Sequence, residues 1–522
     1  MYTKPEKITR ALVLVAPIYD FYFTPHRFSS LGASVLLRML RSRGIDTDLL
    51  SFPLLRKKPA SIPLPQELSY LSPFIIENET GKTSFFTRYK RFGPDLKECG
   101  KIAAALKPDI CFISCFAFCY SQTAIELAKE IKRQISSCTI AIGGAGVSAY
   151  SEYFLRSESI DFTISGGAEV TLFPFLDFLQ NPEADPLSVP NLGWKSEGNF
   201  HFSEKVFSSE KQIEMAVHIS HGINNLPLNQ RRNFITASVS RGCPMNCRFC
   251  SNWICHGREF RRVPFDKVQE SIEQLREHVS PSESVYVNFE DDNLLLDYKY
   301  WIECIKEFKS HFPRSSFYAE NGIDYRLLTP LRCRELIDLG MSQLNFSIGS
   351  ADDQILKENN RKSDIALYDK LLSIAEEADI PVITYFICGF PHDTRETVIN
   401  NLHFLLNRKT GIGISMFYAV PGIDGFEERK IFDRLSPALC AGSSAYPWNN
   451  SLSTCTLVTA FRLARFINLC KSEMKSEPEQ KLIRLTEENR RLYTFVKTED
   501  GASRREVTNQ DYELMELFFT EK

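Results

Sequence analysis

Three cysteines stand within eight residues in SRGCPMNCRFCSNW: Cys243, Cys247 and Cys250. Thiolates at that spacing in one loop can converge on one face of an iron–sulfur cubane. Such clusters are usually held by four Cys, so three would leave one iron with an open position for a small ligand. A structural zinc site is the competing chemistry. It needs four ligands, and Cys255 or His256 lies close enough to supply the fourth. The third reading is coincidence, which the flanking Gly242 and Pro244 and the position just after an apolar run argue against.

The elements that must position this loop follow from the rest of the 522 residues. Hydrophobic residues make up 43% and charged residues 24% of the chain. That balance excludes a disordered or fibrous protein, and the length calls for two or three domains. Net charge is −3, from 62 basic against 65 acidic residues, which gives no electrostatic case for nucleic-acid binding. No apolar run approaches the ~18 residues of a membrane span. The N-terminal residues lack the apolar core of a secretory signal, so the expected location is cytoplasmic, with the other cysteines reduced and mostly buried.

Strand-like and helix-like stretches alternate over 1–180, predicting a doubly wound parallel sheet. Its strands are Ala11–Val15, Asp46–Leu50, Ile110–Ser114, Thr139–Ile142 and Phe162–Ser165. Residues 52–94 read as an insertion or lid, and 181–232 as a linker with a small hairpin. A second series over 233–423 has six strands, beginning at Phe234, Ser284, Ser316, Gln343, Val382 and Gly413. Helical stretches separate them. The pattern is that of a partial (β/α)6 barrel with chemistry at the C-terminal strand ends. Residues 424–522 read as a mainly helical extension, with helices at Ser453–Cys470 and Glu479–Tyr493.

With C-x3-C-x2-C at the end of the first barrel strand and the aromatic Phe249 before its last cysteine, the second domain resembles the radical S-adenosylmethionine (radical SAM) superfamily. The resemblance implies a [4Fe–4S] cluster on Cys243, Cys247 and Cys250. It also implies S-adenosylmethionine on the open iron and one-electron cleavage to a 5′-deoxyadenosyl radical, the cofactor carrying the hard chemistry. Other stretches are similar to the family's strand ends and extend the implied S-adenosylmethionine site. YVNFEDDNLL offers Glu290, Asp291 and Asp292 to the amino group. YAENGIDYRLL offers Glu320, and TYFICGFPHDTRETV offers Gly389, where backbone can approach adenine closely. LNFSIGSADDQIL departs from the family, with Gly349 where a Glu is usual. Ser347 or Ser350 then stands in as a hydroxyl for the ribose, against the plainer reading of a turn-capping serine.

The order of a Rossmann-like domain before such a barrel is similar to the cobalamin (B12)-binding subgroup. By that resemblance Ser114, Cys115, Gly143, Gly144, Gly166, Gly167 and Glu169 would line a corrin and its nucleotide tail. Buried packing is the default reading of Cys111, Cys115 and Cys119. The D-x-H-x-x-G axial-histidine signature is absent. His26 is a loop histidine by default and only secondarily a cobalt ligand. The implied activity is methyl transfer to an unactivated carbon, on a small-molecule or peptide substrate, with a flavodoxin- or ferredoxin-type electron donor. Two alternatives stand beside it. One is a radical cyclase or rearrangement enzyme of the same subgroup. The other is a non-catalytic iron–sulfur or zinc protein.

Overall fold

The computed structural model describes residues 7–23, 30–56, 58–76, 79–80, 86–181, 183–223, 233–473, 493–498 and 501–520. His26 and most of the helix expected at Glu479–Tyr493 lie outside them. The chain gathers into two compact units, each discontinuous in sequence. The first comprises 1–61, 90–316 and 420–437, and the second 62–89, 317–419 and 438–522. Among the described residues no helix is long and apolar enough to cross a membrane.

The first unit is built on a parallel sheet of β1 (Arg10–Val15), β2 (Asp46–Ser51), β3 (Ile110–Ser114), β4 (Thr139–Gly143) and β5 (Phe162–Ile164). Spatial order is β2-β1-β3-β4-β5, and every pair is parallel. This is the flavodoxin-like winding, which reverses between β1 and β3 and opens a crevice past the C-terminal strand ends. The inner strands are almost wholly apolar because both their faces are covered, whereas the edge strand β2, DTDLLS, is mostly polar. Helices α1 (Leu31–Ser42), α2 (Leu96–Ala105), α3 (Ser121–Gln134) and α5 (Ala168–Gln180) connect or follow them, with a short α4 (Ala145–Ala149) after β4. Asp95 caps α2 by accepting the Glu98 N–H.

Aromatic rings fill the core under α5. Phe175 is fully buried and meets Phe162 edge to face, with ring centres 5.1 Å apart. Truncating it leaves a cavity, so Phe175→Ala is expected to cost about 3–5 kcal/mol. A denaturant midpoint lowered with an unchanged slope would record that loss.

The segment read as a linker is largely structured. β6 (Leu192–Ser196) and β7 (Asn199–Phe202) form the anticipated hairpin, but it is no tether: β6 pairs antiparallel with β5 and extends the sheet to seven strands. β8 (His218–Ile223), absent from the sequence reading, pairs antiparallel with β9 (Asn233–Ser238). Its pattern HISHGI lacks the apolar alternation that marks a strand.

β9 pairs parallel with β10 (Val285–Phe289). The strands expected to form one partial barrel sheet belong to two. β8, β9, β10 and Ser315–Tyr318 make one, while β11 (Leu344–Gly349), β12 (Val382–Cys388) and β13 (Gly411–Met416) make a parallel three-stranded sheet. Between them the ladder lapses to two isolated bridges, Phe317 to Met341 and Ile323 to Phe346. The C-terminal part is not all helix. After the 20-residue helix Thr454–Glu473, the strands Tyr493–Thr498 and Gly501–Glu506 form a hairpin. A further helix follows at Tyr512–Thr520.

Candidate cofactor site

Past β9, Ser240–Arg241 pairs antiparallel with Arg261–Arg262. The cysteine loop (242–251) and the short helix α6 (Asn252–His256) are held between these two strands. Gly242 turns the chain into the loop at φ +82°, and a Cβ there would lie 2.0 Å from the Glu259 carbonyl oxygen. Only glycine fits that turn. Cys247 is buried, and Cys243 and Cys250 are half-buried. Burial raises the Cys243 thiol and pushes Cys250 up to about 11. Binding a metal there would release protons, because the thiolate is the ligand. The Asn293 amide points at Cys243 Sγ from 3.9 Å.

The acidic strand end after β10 divides by alternation. Glu290 and Asp292 line a cavity, whereas Asp291 turns back into the fold. Asp291 Oδ1 accepts from the Val239 N–H at 2.9 Å and from the Ser240 N–H and hydroxyl at 2.5 and 2.6 Å. Burial pushes its carboxyl up to about 6 against those bonds. Asp292 takes three bonds: from Gly242 N–H at 2.7 Å, from the Asn252 amide at 3.1 Å and from His256 Nδ1 at 2.9 Å. Burial opposes its ionisation, but His256 and Arg241 outweigh it and hold the carboxyl below its usual range.

The cavity measures about 250 Å³ and lies at the strand ends of the first sheet, at its winding reversal. Ser114, Gly143, Gly144, Gly166, Gly167 and Glu169 line it on the sheet side. Cys255, His256 and Arg241 line it together with Glu290 and Asp292. Cys115 does not. It is buried behind this surface, its thiol raised to about 12 by burial and directed at the Ala117 carbonyl at 3.3 Å. At Gly144, φ is +107° and a Cβ would sit 2.5 Å from the Cys115 carbonyl oxygen. The glycine there lets two strand ends meet.

Two features carry no sequence motif. Ser148 donates to the Gly144 carbonyl at 3.0 Å and accepts from the Gly166 N–H at 2.7 Å, tying two cavity turns together. Its hydroxyl is also 3.9 Å from Cys255 Sγ. Cys255 in turn is hydrogen-bonded to His256. Burial alone would raise the Cys255 thiol and lower the His256 imidazole. The two charges facing each other, with Asp292 behind, reverse both effects: Cys255 lies below its ordinary value and His256 is raised to about 10. The only sequence signal was an adjacent Cys-His pair after the cysteine loop.

A thiolate–imidazolium pair at Cys255–His256 has a testable pH signature. The depressed Cys255 keeps its thiolate below the ~8.5 of a free thiol. The raised His256 keeps its proton until pH climbs through about 10. Alkylation of Cys255 by iodoacetamide is therefore expected to proceed already at pH 7. In His256→Gln it should fall at pH 7 and recover toward pH 9, as read by peptide mass spectrometry.

In the second unit, Glu320 and Ser347 are half-buried and Gly389 is buried. Tyr385 donates to the Glu320 carbonyl at 3.0 Å. Gly389 adopts φ +97°, and the N–H groups of Gly389 and Phe390 both donate to Asp393. At Gly349 the space in front of the missing side chain is taken by Arg361, whose Cδ would be 3.6 Å from a Cβ and whose guanidinium donates to the Ser347 carbonyl. Ser350 is buried, bonded to Asn401 and accepting from the Asp352 N–H, as a turn-capping serine does.

Phe249 is half-buried within the cysteine loop. Among the described residues, no three or more His, Cys, Asp or Glu side chains are gathered tightly enough to hold a single metal ion. The thiolates of a cubane span a wider triangle, each bound to a different iron.

The profile of the Radical SAM superfamily matches residues 237–405. The bacteriochlorophyllide d C-12(1)-methyltransferase of Chlorobaculum tepidum is 25% identical over 217 residues, 40% of this chain and 46% of that one. The anaerobic magnesium-protoporphyrin IX monomethyl ester cyclase of Cereibacter sphaeroides is 26% identical over 165 residues, 31% of this chain and 26% of that one. The chain thus spans less than half the length of either relative. Among solved structures, the radical S-adenosylmethionine methyltransferase TsrM of Kitasatospora setae aligns with TM-score 0.58 at 13% identity, covering 79% of this chain and 73% of TsrM. A TsrM structure with cobalamin and a [4Fe–4S] cluster bound gives 0.57 at 12% identity, with 80% and 77% covered. At that identity the likeness concerns the fold. With three thiols at family spacing on the loop after β9, residues 237–405 constitute a radical SAM superfamily domain.

Proposed function

We propose that the protein is a radical SAM enzyme that methylates an unactivated carbon with the help of a corrinoid. The observation that carries the reading is the loop of Cys243, Cys247 and Cys250, held at the C-terminal end of β9 inside the stretch matched by the superfamily profile. When bound, the cluster supplies the electron that cleaves S-adenosylmethionine to a 5′-deoxyadenosyl radical, and the corrinoid supplies a methyl group.

The residues suit such groups chemically. Three thiols with an amide donor at Cys243 suit a cluster with one open iron. Glu290 lines the cavity from the β10 strand end and accepts from the Asn288 amide at 3.1 Å; it is assigned to the amino group of S-adenosylmethionine. Phe249 is assigned to the same ligand, and Glu320, Ser347 and Gly389 keep the S-adenosylmethionine role that the family resemblance alone implies. Apolar Val35, Phe112 and Ile164 with the glycine turns give the cavity a surface for a flat, largely apolar ring. Its 250 Å³ lies below the ~300–1,000 Å³ of ordinary ligand pockets, so a corrin would lie partly over its rim, where Phe116 is exposed. Ser114, Gly143, Gly144, Gly166, Gly167 and Glu169 would face it, with Cys115 supporting Gly144 from behind.

The domain scheme carries over as part of the proposal: a corrinoid domain within 1–180 and a catalytic domain within 233–423. We further assign a small-molecule or peptide substrate, a flavodoxin- or ferredoxin-type reductant and a cytoplasmic setting.

The similarity to a named cyclase favours one second reading, radical cyclisation on the same scaffold. Product counting decides between them. Methylation by this route consumes S-adenosylmethionine twice, giving S-adenosylhomocysteine and 5′-deoxyadenosine in comparable amounts; cyclisation gives 5′-deoxyadenosine alone. Protein supplied with hydroxocobalamin is expected to keep corrin absorbance after desalting, and loss of all corrin bands would defeat the corrinoid assignment.

A further inference from the structure

The cysteine loop has no helix or strand of its own from 242 to 251, so its three thiols must be fixed from outside. One carboxylate does this at both ends. Asp292 accepts from Gly242, the residue before Cys243, and from Asn252, two residues after Cys250. It also holds His256 at the end of α6. A carboxylate offers about four lone-pair sites, and three are occupied by the protein itself. Its side chain is only 9% exposed. The preceding residue acts alike: Asp291 fastens Val239 and Ser240, the chain leading into the loop. From the third strap a polar path continues through His256 and Cys255 to Ser148, which holds the Gly144 and Gly166 turns.

We propose that Asp292 is a positioning residue: a clasp that closes the cysteine loop across its ten residues, and not a contact to the amino group of S-adenosylmethionine. This rests on the cluster assignment above. Without the clasp the pairing of Ser240–Arg241 with Arg261–Arg262 still closes the loop and α6 together, but the direct tie between Gly242 and Asn252 is lost, and with it the common face a cubane needs. The charge of Asp292 also matters. It sits beside the cluster loop, and negative charge near a cluster disfavours its reduction.

The test compares anaerobically reconstituted full-length wild type with Asp292→Ala and Asp292→Asn. Wild type is expected to hold about 4 Fe per chain. Asp292→Ala should retain at most a third of that iron and should surrender it to a chelator at least threefold faster. Affinity for S-adenosylmethionine, measured per cluster, should stay within twofold. Asp292→Asn keeps an acceptor oxygen but no charge. It should restore most of the iron and move the cluster's reduction midpoint to a more positive value, which a purely structural role would not do. Full iron in Asp292→Ala overturns the clasp, and a tenfold loss of S-adenosylmethionine affinity with full iron returns Asp292 to the ligand set. Should Asp292→Ala fail to fold, the Asn252→Ala/His256→Gln pair removes two straps and leaves the carboxylate. Unchanged chelation in that pair overturns the clasp. Wild type that takes up no cluster overturns the cluster assignment and the clasp together.

Discussion

A Cys247→Ala variant is expected to release no 5′-deoxyadenosine above background and to lack the broad absorbance near ~400 nm of a bound cluster. Two thiolates would remain on a loop that otherwise presents three, and an iron without its protein ligand is open to loss. Cys247 is the most buried of the three, at 8% exposure, but it lies in irregular backbone with no helix or strand of its own. Its truncation should therefore shift the unfolding free energy of the metal-free chain by less than about 1 kcal/mol. Lost chemistry with retained folding is the signature of a ligand; lost folding would be that of a core cysteine.

The second large effect is expected at Gly144. Its φ of +107° with ψ of −179° falls in a region that is essentially glycine-only. A methyl group there would stand 2.5 Å from the Cys115 carbonyl oxygen. Backbone strain of ~1–3 kcal/mol and overpacking of ~1–3 kcal/mol act together, so Gly144→Ala should lose about 2–6 kcal/mol. Thermal melting of the metal-free protein would show it. Because β3 and β4 meet at this point of the cavity wall, retention of added hydroxocobalamin should weaken as well. A control at Gly198, at φ +78° but with nothing within 4 Å of the added Cβ, keeps the backbone strain and lacks the clash.

Most strands of both series were legible because they are short apolar runs bounded by turn residues, and the observed bounds differ from the expected ones by at most two positions. What periodicity could not supply was pairing. The Leu192–Phe202 hairpin reads correctly as a hairpin, but nothing local says that Gly193 will face Thr163 and extend the sheet. His218–Ile223 escaped because HISHGI has no alternation, and the partner β9 imposes its extended form. The break between the two barrel-type sheets is equally a matter of tertiary pairing.

The site was legible to different depths. The cysteine loop announced itself by composition and spacing. The division of labour in Glu290-Asp291-Asp292 did not, because adjacent residues on an extended segment face opposite ways and only the fold decides which way is in. The same holds for Cys115, one residue beyond the cavity-lining Ser114. The Cys255–His256–Asp292 linkage joins residues 36 positions apart, and so depends on the return of β10 beside β9.

The most direct measurement of the central claim is the release of 5′-deoxyadenosine by the anaerobically reconstituted protein given S-adenosylmethionine and a low-potential reductant. The account predicts 5′-deoxyadenosine that depends on the reductant and vanishes in Cys243→Ala, Cys247→Ala and Cys250→Ala alike. A wild-type protein that carries about 4 Fe per chain and still leaves S-adenosylmethionine uncleaved would contradict it.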